Sequence, residues 1–168
     1  MTATTVATTE SPPLLASALM RVDGIERRAC SRVLQWWCEL GARRSAPSFA
    51  AVTPQSAGDL WPNLFILENT GSPGLNQFVY SGQVLRSALG HDPMGCSLAD
   101  VWPQEAYDRA CFLHQSCSEL LVPIDEAGRW SLPGEDIVYR CLILPLSDDQ
   151  RSASHLLGAF SFRRFAYA

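Results

Sequence analysis

Residues 138–162, VYRCLILPLSDDQRSASHLLGAFSF, decide the fold of this chain. Residues 138–146 are apolar apart from Arg140, and the run ends at the polar sequence SDDQ of residues 147–150. Short polar side chains favour turns because they can hydrogen-bond their own backbone, so a hairpin connection is predicted before apolar residues resume at Leu156. A strand that is apolar on both faces must be covered on both faces. The stretch therefore predicts a central strand of an antiparallel sheet with material packed on each side.

Composition limits the class of protein. The chain has 168 residues, of which 47% are apolar and 18% charged, which is typical of a globular domain. All thirteen basic residues are arginines, they are scattered, and the net charge is −4. A nucleic-acid-binding protein needs a basic face, so no nucleic-acid partner is expected. No run approaches the roughly 20 apolar residues of a membrane span, and residues 1–15 lack a secretory signal, so we expect a cytoplasmic protein.

Three segments are predicted along the chain: a disordered tail (1–12), an N-terminal helical region (13–42) and a folded domain (43–168). In the helical region, Asp23 is suited to cap a helix over residues 24–41. Two adjacent exposed tryptophans would form a costly apolar patch, so the apolar stripe of this helix is expected to pack outside the sheet. The stripe residues recur every three or four positions: Ile25, Ala29, Val33, Trp36, Trp37 and Leu40.

The pattern of the folded domain predicts an α+β fold. Two leading strands, a helical insert and three trailing strands predict a five-stranded antiparallel sheet with helices on one side, preceded by the added N-terminal helix. The elements are, in order, a strand over 63–68, a turn over 69–74, a strand from 77 to 80, a short helix over 82–89, an amphipathic helix over 104–121, an irregular third strand or edge element over 122–130, and the strand pair described above.

Three blocks of sequence carry a family resemblance. The first is the proline-spaced entry of residues 47–54 leading to DLWPNLFIL at 59–67. The second runs from FVYSG at 78–82 to LGHDPMGCSL at 89–98, and the third from Tyr139-Arg140 through 144–147 to 156–158. In this order and spacing, over residues 30–162, they resemble the PAS_5 family of PAS-like bacterial proteins, also catalogued as DUF1457. Trp61 and Met94 depart from the usual smaller or polar residues of that family.

The resemblance implies a PAS-like fold with a sensory or regulatory role, and it carries over no catalytic residues. Flavin photochemistry in this fold uses a cysteine in an Asn-Cys-Arg-type helix, which the sequence around Cys96 does not match. His114 lies in the apolar pattern of the long helix, so it is the candidate ligand if the domain carries a haem, which is the alternative function considered below.

The remaining chemical groups favour structural roles. The six cysteines, at positions 30, 38, 96, 111, 117 and 141, contain no C-x-x-C pair, so we expect most of them to be small buried apolar residues and we expect no structural zinc. The carboxylate pairs Asp125-Glu126, Glu135-Asp136 and Asp148-Asp149 are interpreted as solvated turn residues. No nucleophile elbow and no phosphate-binding glycine loop occurs.

A ligand pocket between the sheet and the short helices is the remaining candidate site. Arg140 is the hardest candidate to explain by packing, because a charge in an apolar strand needs an acidic side chain or an acidic ligand as its partner. The other candidates could equally fill the core. The predicted ligand-binding residues are Phe78, Tyr80, Trp102, Cys111, Tyr139 and Arg140.

The sequence therefore predicts a non-enzymatic sensory or regulatory module in signal transduction, acting through small-ligand contacts, protein–protein contacts or both. The alternative is a small-molecule-binding enzyme or a haem-type cofactor carrier on the same scaffold; the cofactor, if any, is not specified. The module is expected to pass its signal to a separate signalling protein. A homodimer is expected through the surplus apolar residues before the helix, which are Leu14, Leu15, Leu19, Met20 and Val22.

Overall fold

The computed structural model describes residues 27–167. The helices are α1 (Arg27–Gly41), α2 (Pro54–Ala57), α3 (Gln83–Leu89), α4 (Leu98–Val101) and α5 (Gln104–Leu120). The strands are β1 (Leu64–Glu68), β2 (Gln77–Ser81), β3 (Ile124–Leu132), β4 (Glu135–Leu146) and β5 (His155–Ala166). Short 3₁₀ helices cover Phe49–Ala51, Gly58–Asn63 and Pro73–Leu75.

The five strands form one antiparallel sheet in the order β2-β1-β5-β4-β3. This confirms the predicted α+β class and the two predicted hairpins at the ends of the domain. β4 lies between β5 and β3 and is buried along almost its whole length. The prediction that residues 138–146 form a central strand is therefore confirmed, because neighbouring strands and material on both faces exclude water from it.

One face of the sheet, here called the outer face, is covered by α1. Val33 and Trp37 are buried against Leu144 and Leu157, and the indole N–H of Trp37 donates to the carbonyl oxygen of Pro145 at 2.9 Å. Trp36 and Leu40 are half-buried on the same helix face. The predicted stripe therefore packs as expected where it is described. The predicted cap Asp23, the stripe residue Ile25 and the residues predicted to form the dimer, between 14 and 22, lie outside the described residues.

The opposite face, here called the inner face, is covered by α3, α4 and α5. In α5 the residues that face the sheet are spaced by three or four positions, as one side of a helix requires. These are Ala106, Ala110, His114 and Cys117, and all four are buried. Between residues 27 and 167, no helix is both long enough and apolar enough to cross a membrane.

The third strand differs from the prediction. β3 is a regular strand of nine residues, paired without a break to β4, and β4 begins at Glu135 rather than at Val138. The link between the two strands is Pro133-Gly134, in which Gly134 takes φ 81°, a value that favours glycine. The interpretation of two carboxylate pairs as solvated turn residues was wrong, since these residues lie in strands and two of them, Glu126 and Asp136, are buried.

Gly158 lies opposite Phe65 in the centre of the sheet, and the phenyl ring occupies the space that a side chain at position 158 would need. We expect Gly158→Ala to lower the free energy of unfolding by about 3 kcal/mol, because overpacking a rigid core forces side chains and backbone to shift. Urea denaturation of both proteins measures the difference. In Gly158→Ala/Phe65→Leu the loss should be smaller than the sum of the two single losses.

Gly41→Ala is the matched control, because a side chain there meets Pro47 only at ordinary contact distance. We expect a change of less than about 1 kcal/mol for it. A Gly158→Ala protein as stable as Gly41→Ala would contradict the close packing of Phe65 on the glycine.

Candidate functional site

Aromatic rings from all five strands, together with Trp102 at the end of α4, fill much of the inner face. The rings of Trp102 and Trp130 meet edge-on at 5.2 Å between centroids, and the Trp130 and Tyr139 rings lie 4.8 Å apart. Phe160 stacks on Tyr139 at 5.5 Å. Together they form what we call the aromatic cluster, which comprises Phe65, Phe78, Trp102, Trp130, Tyr139 and Phe160.

Four buried side chains at this cluster carry polar atoms without a hydrogen-bond partner in the described part of the chain. These atoms are Trp102 Nε1, Trp130 Nε1, both ring nitrogens of His114, and Glu126 Oε2. Most buried polar groups in folded proteins are paired, and each unpaired one costs about 1–3 kcal/mol. The inner face is therefore an apolar surface with several polar groups that residues 27–167 leave without partners.

His114 is completely buried on α5, and its ring meets that of Trp102 edge-on with the two centroids 6.4 Å apart. Burial disfavours the charged imidazolium and lowers the pKa of His114 to about 4. The ring is therefore neutral at pH 7, so one nitrogen is a donor and the other an acceptor.

Glu126 and Tyr139 form the second polar element of the inner face. The phenol of Tyr139 donates to Glu126 Oε1 at 2.9 Å, and Gly128 permits this approach because any side chain at 128 would meet the phenol at 2.7 Å. Burial raises the pKa of Glu126, although the Tyr139 hydrogen bond and the nearby Arg109 charge oppose the rise. The pKa of Tyr139 is also raised, first by burial and then by the carboxylate.

The six residues predicted from the sequence do not form one cluster. Phe78, Trp102 and Tyr139 lie in the aromatic cluster, and Cys111 is half-buried beside it on α5. Tyr80 and Arg140, by contrast, lie on the outer face. Adjacent strand residues point to opposite faces, which separates Arg140 from Tyr139.

Tyr80 is separated from Phe78 by an irregularity in the strand pairing. Phe78 pairs with Leu67 and Tyr80 with the adjacent residue Ile66, so one extra residue, Val79, shifts the register. Tyr80 therefore stacks on Trp61 of the outer face, with ring centroids 4.1 Å apart, and its hydroxyl donates to the Trp61 carbonyl oxygen at 3.0 Å.

The partner of Arg140 is an acidic side chain, one of the two possibilities that the sequence left open. Its Nε and one terminal nitrogen donate to the two carboxylate oxygens of Asp125 at 3.1 and 2.9 Å. Arg140 is only 1% exposed. This bidentate pair joins β4 to β3 and gives the guanidinium its counter-ion within the protein.

Glu126 and Trp130 of the inner face were not among the predicted residues, and neither were Phe65 and Phe160. A signal was present, since Ile124, Glu126, Gly128 and Trp130 alternate along the chain as one face of a strand does. No three His, Cys, Asp or Glu side chains in the described region come together in a way that could hold a metal ion.

Comparisons with known proteins identify the type of fold. A family model described as a PAS domain, PAS_5, matches residues 25–161. A solved structure described as "Flavin Analogue Sheds Light on Light-Oxygen-Voltage Domain Mechanism" is similar with 16% sequence identity and a TM-score of 0.49, over 67% of this chain and 83% of that chain. No curated protein matches the sequence significantly.

Proposed function

Because the chain belongs to the PAS_5 family of PAS domains, we propose that it is a non-enzymatic sensory or regulatory module in signal transduction. In this proposal the inner face binds a small ligand, and contacts with a separate signalling protein transmit the bound state. The observation that carries the proposal is the set of unpaired polar atoms on Trp102, His114 and Glu126.

The surroundings of these atoms support ligand binding. Small-molecule sites are mostly apolar and aromatic, with a few polar groups that orient the ligand. The aromatic cluster provides the first feature, and the indole N–H, the neutral imidazole and the carboxyl oxygen provide the second. A ligand that pairs these atoms would recover part of the free energy that their burial costs.

The closest hydroxyl–imidazole contact in the described residues does not support catalysis. Ser154 Oγ lies 3.0 Å from Nδ1 of His155, the next residue in the chain. The imidazole is stacked flat on Phe49, with ring centroids 3.8 Å apart, and the Ser154 hydroxyl also reaches the Leu146 carbonyl at 3.4 Å. A nucleophile needs a base that is itself oriented by a third group, and here the geometry is that of a hairpin turn.

A haem-type carrier is the second candidate, because His114 has two unpaired ring nitrogens on the inner face. An axial histidine needs an open apolar space beside it for the porphyrin. The indole of Trp102 occupies the position beside the imidazole. The residues present therefore do not fit a haem unless Trp102 moves away.

Native mass spectrometry of the full-length protein, purified under mild conditions, tests the ligand proposal. We expect an additional small-molecule mass that disappears on denaturation. Ala110→Leu should reduce its occupancy several-fold, because the added side chain enters the inner face, where Ala110 is fully buried. The matched control is Gln115→Leu, which adds a similar side chain on the exposed side of α5.

Circular dichroism establishes that both variants are folded. If protein from several growth conditions shows only the mass of the polypeptide, the ligand proposal is contradicted. An additional mass together with haem absorbance in the visible range would favour the second candidate.

A further inference from the structure

A cleft opens at the edge of the sheet where α5 passes β3. β3 is the last strand of the sheet, and the cleft between the two elements, here called the edge cleft, has a volume of about 170 Å³. At roughly 30 Å³ per water molecule, it holds about six non-hydrogen atoms. Its lining includes Glu105 and Arg109 of α5, Glu126, Ala127 and Arg129 of β3, and Tyr139 of β4.

The first feature that points to a ligand is Glu126. The residue is 1% exposed, its Oε1 accepts from Tyr139, and its Oε2 has no partner among residues 27–167. A buried carboxyl group normally has both oxygens paired, because an unpaired one leaves the desolvation of that atom uncompensated. The wall of the edge cleft therefore contains an acceptor that lacks a donor.

The second feature is Arg109, at the exposed end of the same cleft. The two other charged groups beside it already have partners: Glu105 accepts from the Ser131 N–H, and Arg129 pairs with Asp136 at 3.2 Å. Arg109 forms no ion pair or side-chain hydrogen bond within the described region, although its charge acts on Glu126. A cation and a half-paired carboxyl thus share one small space.

The free edge of β3 adds backbone groups to this space. The Ser131 N–H faces away from β4, since it donates to Glu105 on α5. Backbone groups of alternate residues in an edge strand face the same side. The N–H and C=O groups of Ala127 and Arg129 therefore face outward as well and line the cleft with further donors and acceptors.

We propose that the edge cleft binds a small α-amino acid as its zwitterion, with the ammonium group toward Glu126 and the carboxylate toward Arg109. A simple amine would be repelled by Arg109, and a simple carboxylate by Glu126, whereas a zwitterion complements both. The ammonium group of an α-amino acid can also donate to a carbonyl oxygen of the strand edge, and its carboxylate can accept from an N–H group there. The inference rests on the proposed ligand-binding function and names the ligand class.

Isothermal titration calorimetry on the full-length protein tests the inference with L-alanine, whose size matches the cleft. We expect L-alanine to bind, with methylamine and acetate each at least about tenfold weaker because each loses one charge-assisted contact. Glu126→Gln and Arg109→Gln should each weaken L-alanine binding at least about tenfold, since both substitutions preserve approximate shape and remove charge. Arg151→Gln, at an exposed arginine of the β4–β5 loop, should leave the affinity unchanged.

Two results would overturn the inference: no binding of L-alanine at millimolar concentration, or equal affinities for the wild type, Glu126→Gln and Arg109→Gln. Thermal unfolding of each variant confirms that it is folded. Because the proposed function is tested separately by mass spectrometry, a copurified molecule of another class together with no L-alanine binding would refute this inference alone.

Discussion

Asp125→Ala is expected to lower the free energy of unfolding by about 3–5 kcal/mol, because it leaves a buried guanidinium without its counter-ion. Arg140 is 1% exposed, and both of its hydrogen bonds to a charged group go to Asp125, whose side chain is 18% exposed. An arginine cannot lose its proton to escape the cost. Urea denaturation at pH 7 measures the change.

The chain offers a matched pair on its surface. One terminal nitrogen of Arg32 donates to both carboxylate oxygens of Asp59 at 2.8 Å, but the two side chains are 55% and 74% exposed. Solvent and salt screen such a pair, so Asp59→Ala should cost less than about 1 kcal/mol. The double variant Asp125→Ala/Arg140→Leu should recover much of the stability, since it removes the stranded charge. Equal losses for Asp59→Ala and Asp125→Ala would contradict the burial of the Arg140 pair.

The parts of the fold that local chemistry determines could be predicted from the sequence. The apolar run of β4 and the polar residues after it define a strand and a turn within a few neighbours. The ends of β3 could not be predicted in this way, because Asp125, Glu126 and Gly128 are unfavourable in strands. What stabilises them is the neighbouring strand, through Arg140 and Tyr139, and pairing of this kind is not visible in a local pattern.

In the candidate site, too, some features could be predicted from the local sequence and others depend on how the strands pair. Strand alternation already requires that Tyr139 and Arg140 point to opposite faces, so their separation could have been predicted. The separation of Phe78 from Tyr80 could not, because two residues of equal parity share a face unless a bulge intervenes. The role proposed for Glu126 depends on its hydrogen bond to Tyr139 and on the cleft that it shares with Arg109, which only the assembled sheet and α5 provide.

Lowering the pH from 6.5 to 4 is expected to cost about 3 kcal/mol of stability through His114 alone. Burial holds its pKa at about 4 in the folded protein, below its ordinary value of 6.5. Between these values the unfolded chain binds a proton that the folded protein does not, so stability rises with pH and is lost as the pH falls. A difference of about 2.5 pKa units corresponds to about 3 kcal/mol.

The raised pKa of Glu126 acts in the opposite direction, because the folded protein then binds the extra proton and gains stability as the pH falls. The contribution of His114 is therefore measured as a difference between variants rather than from one curve. Urea denaturation at pH 4.5 and pH 7 should give a pH dependence that is smaller in His114→Leu than in the wild type by most of this amount. At pH 7 the variant should be at least as stable, since leucine removes two unpaired buried nitrogens.

His91, exposed after α3, provides the matched substitution, and His91→Leu should keep the pH dependence of the wild type. The same dependence in His114→Leu as in the wild type would mean that His114 can take up a proton in the folded protein. That requires water or another partner at its ring nitrogens. The experiment therefore distinguishes a sealed inner face from one that a ligand or solvent can enter.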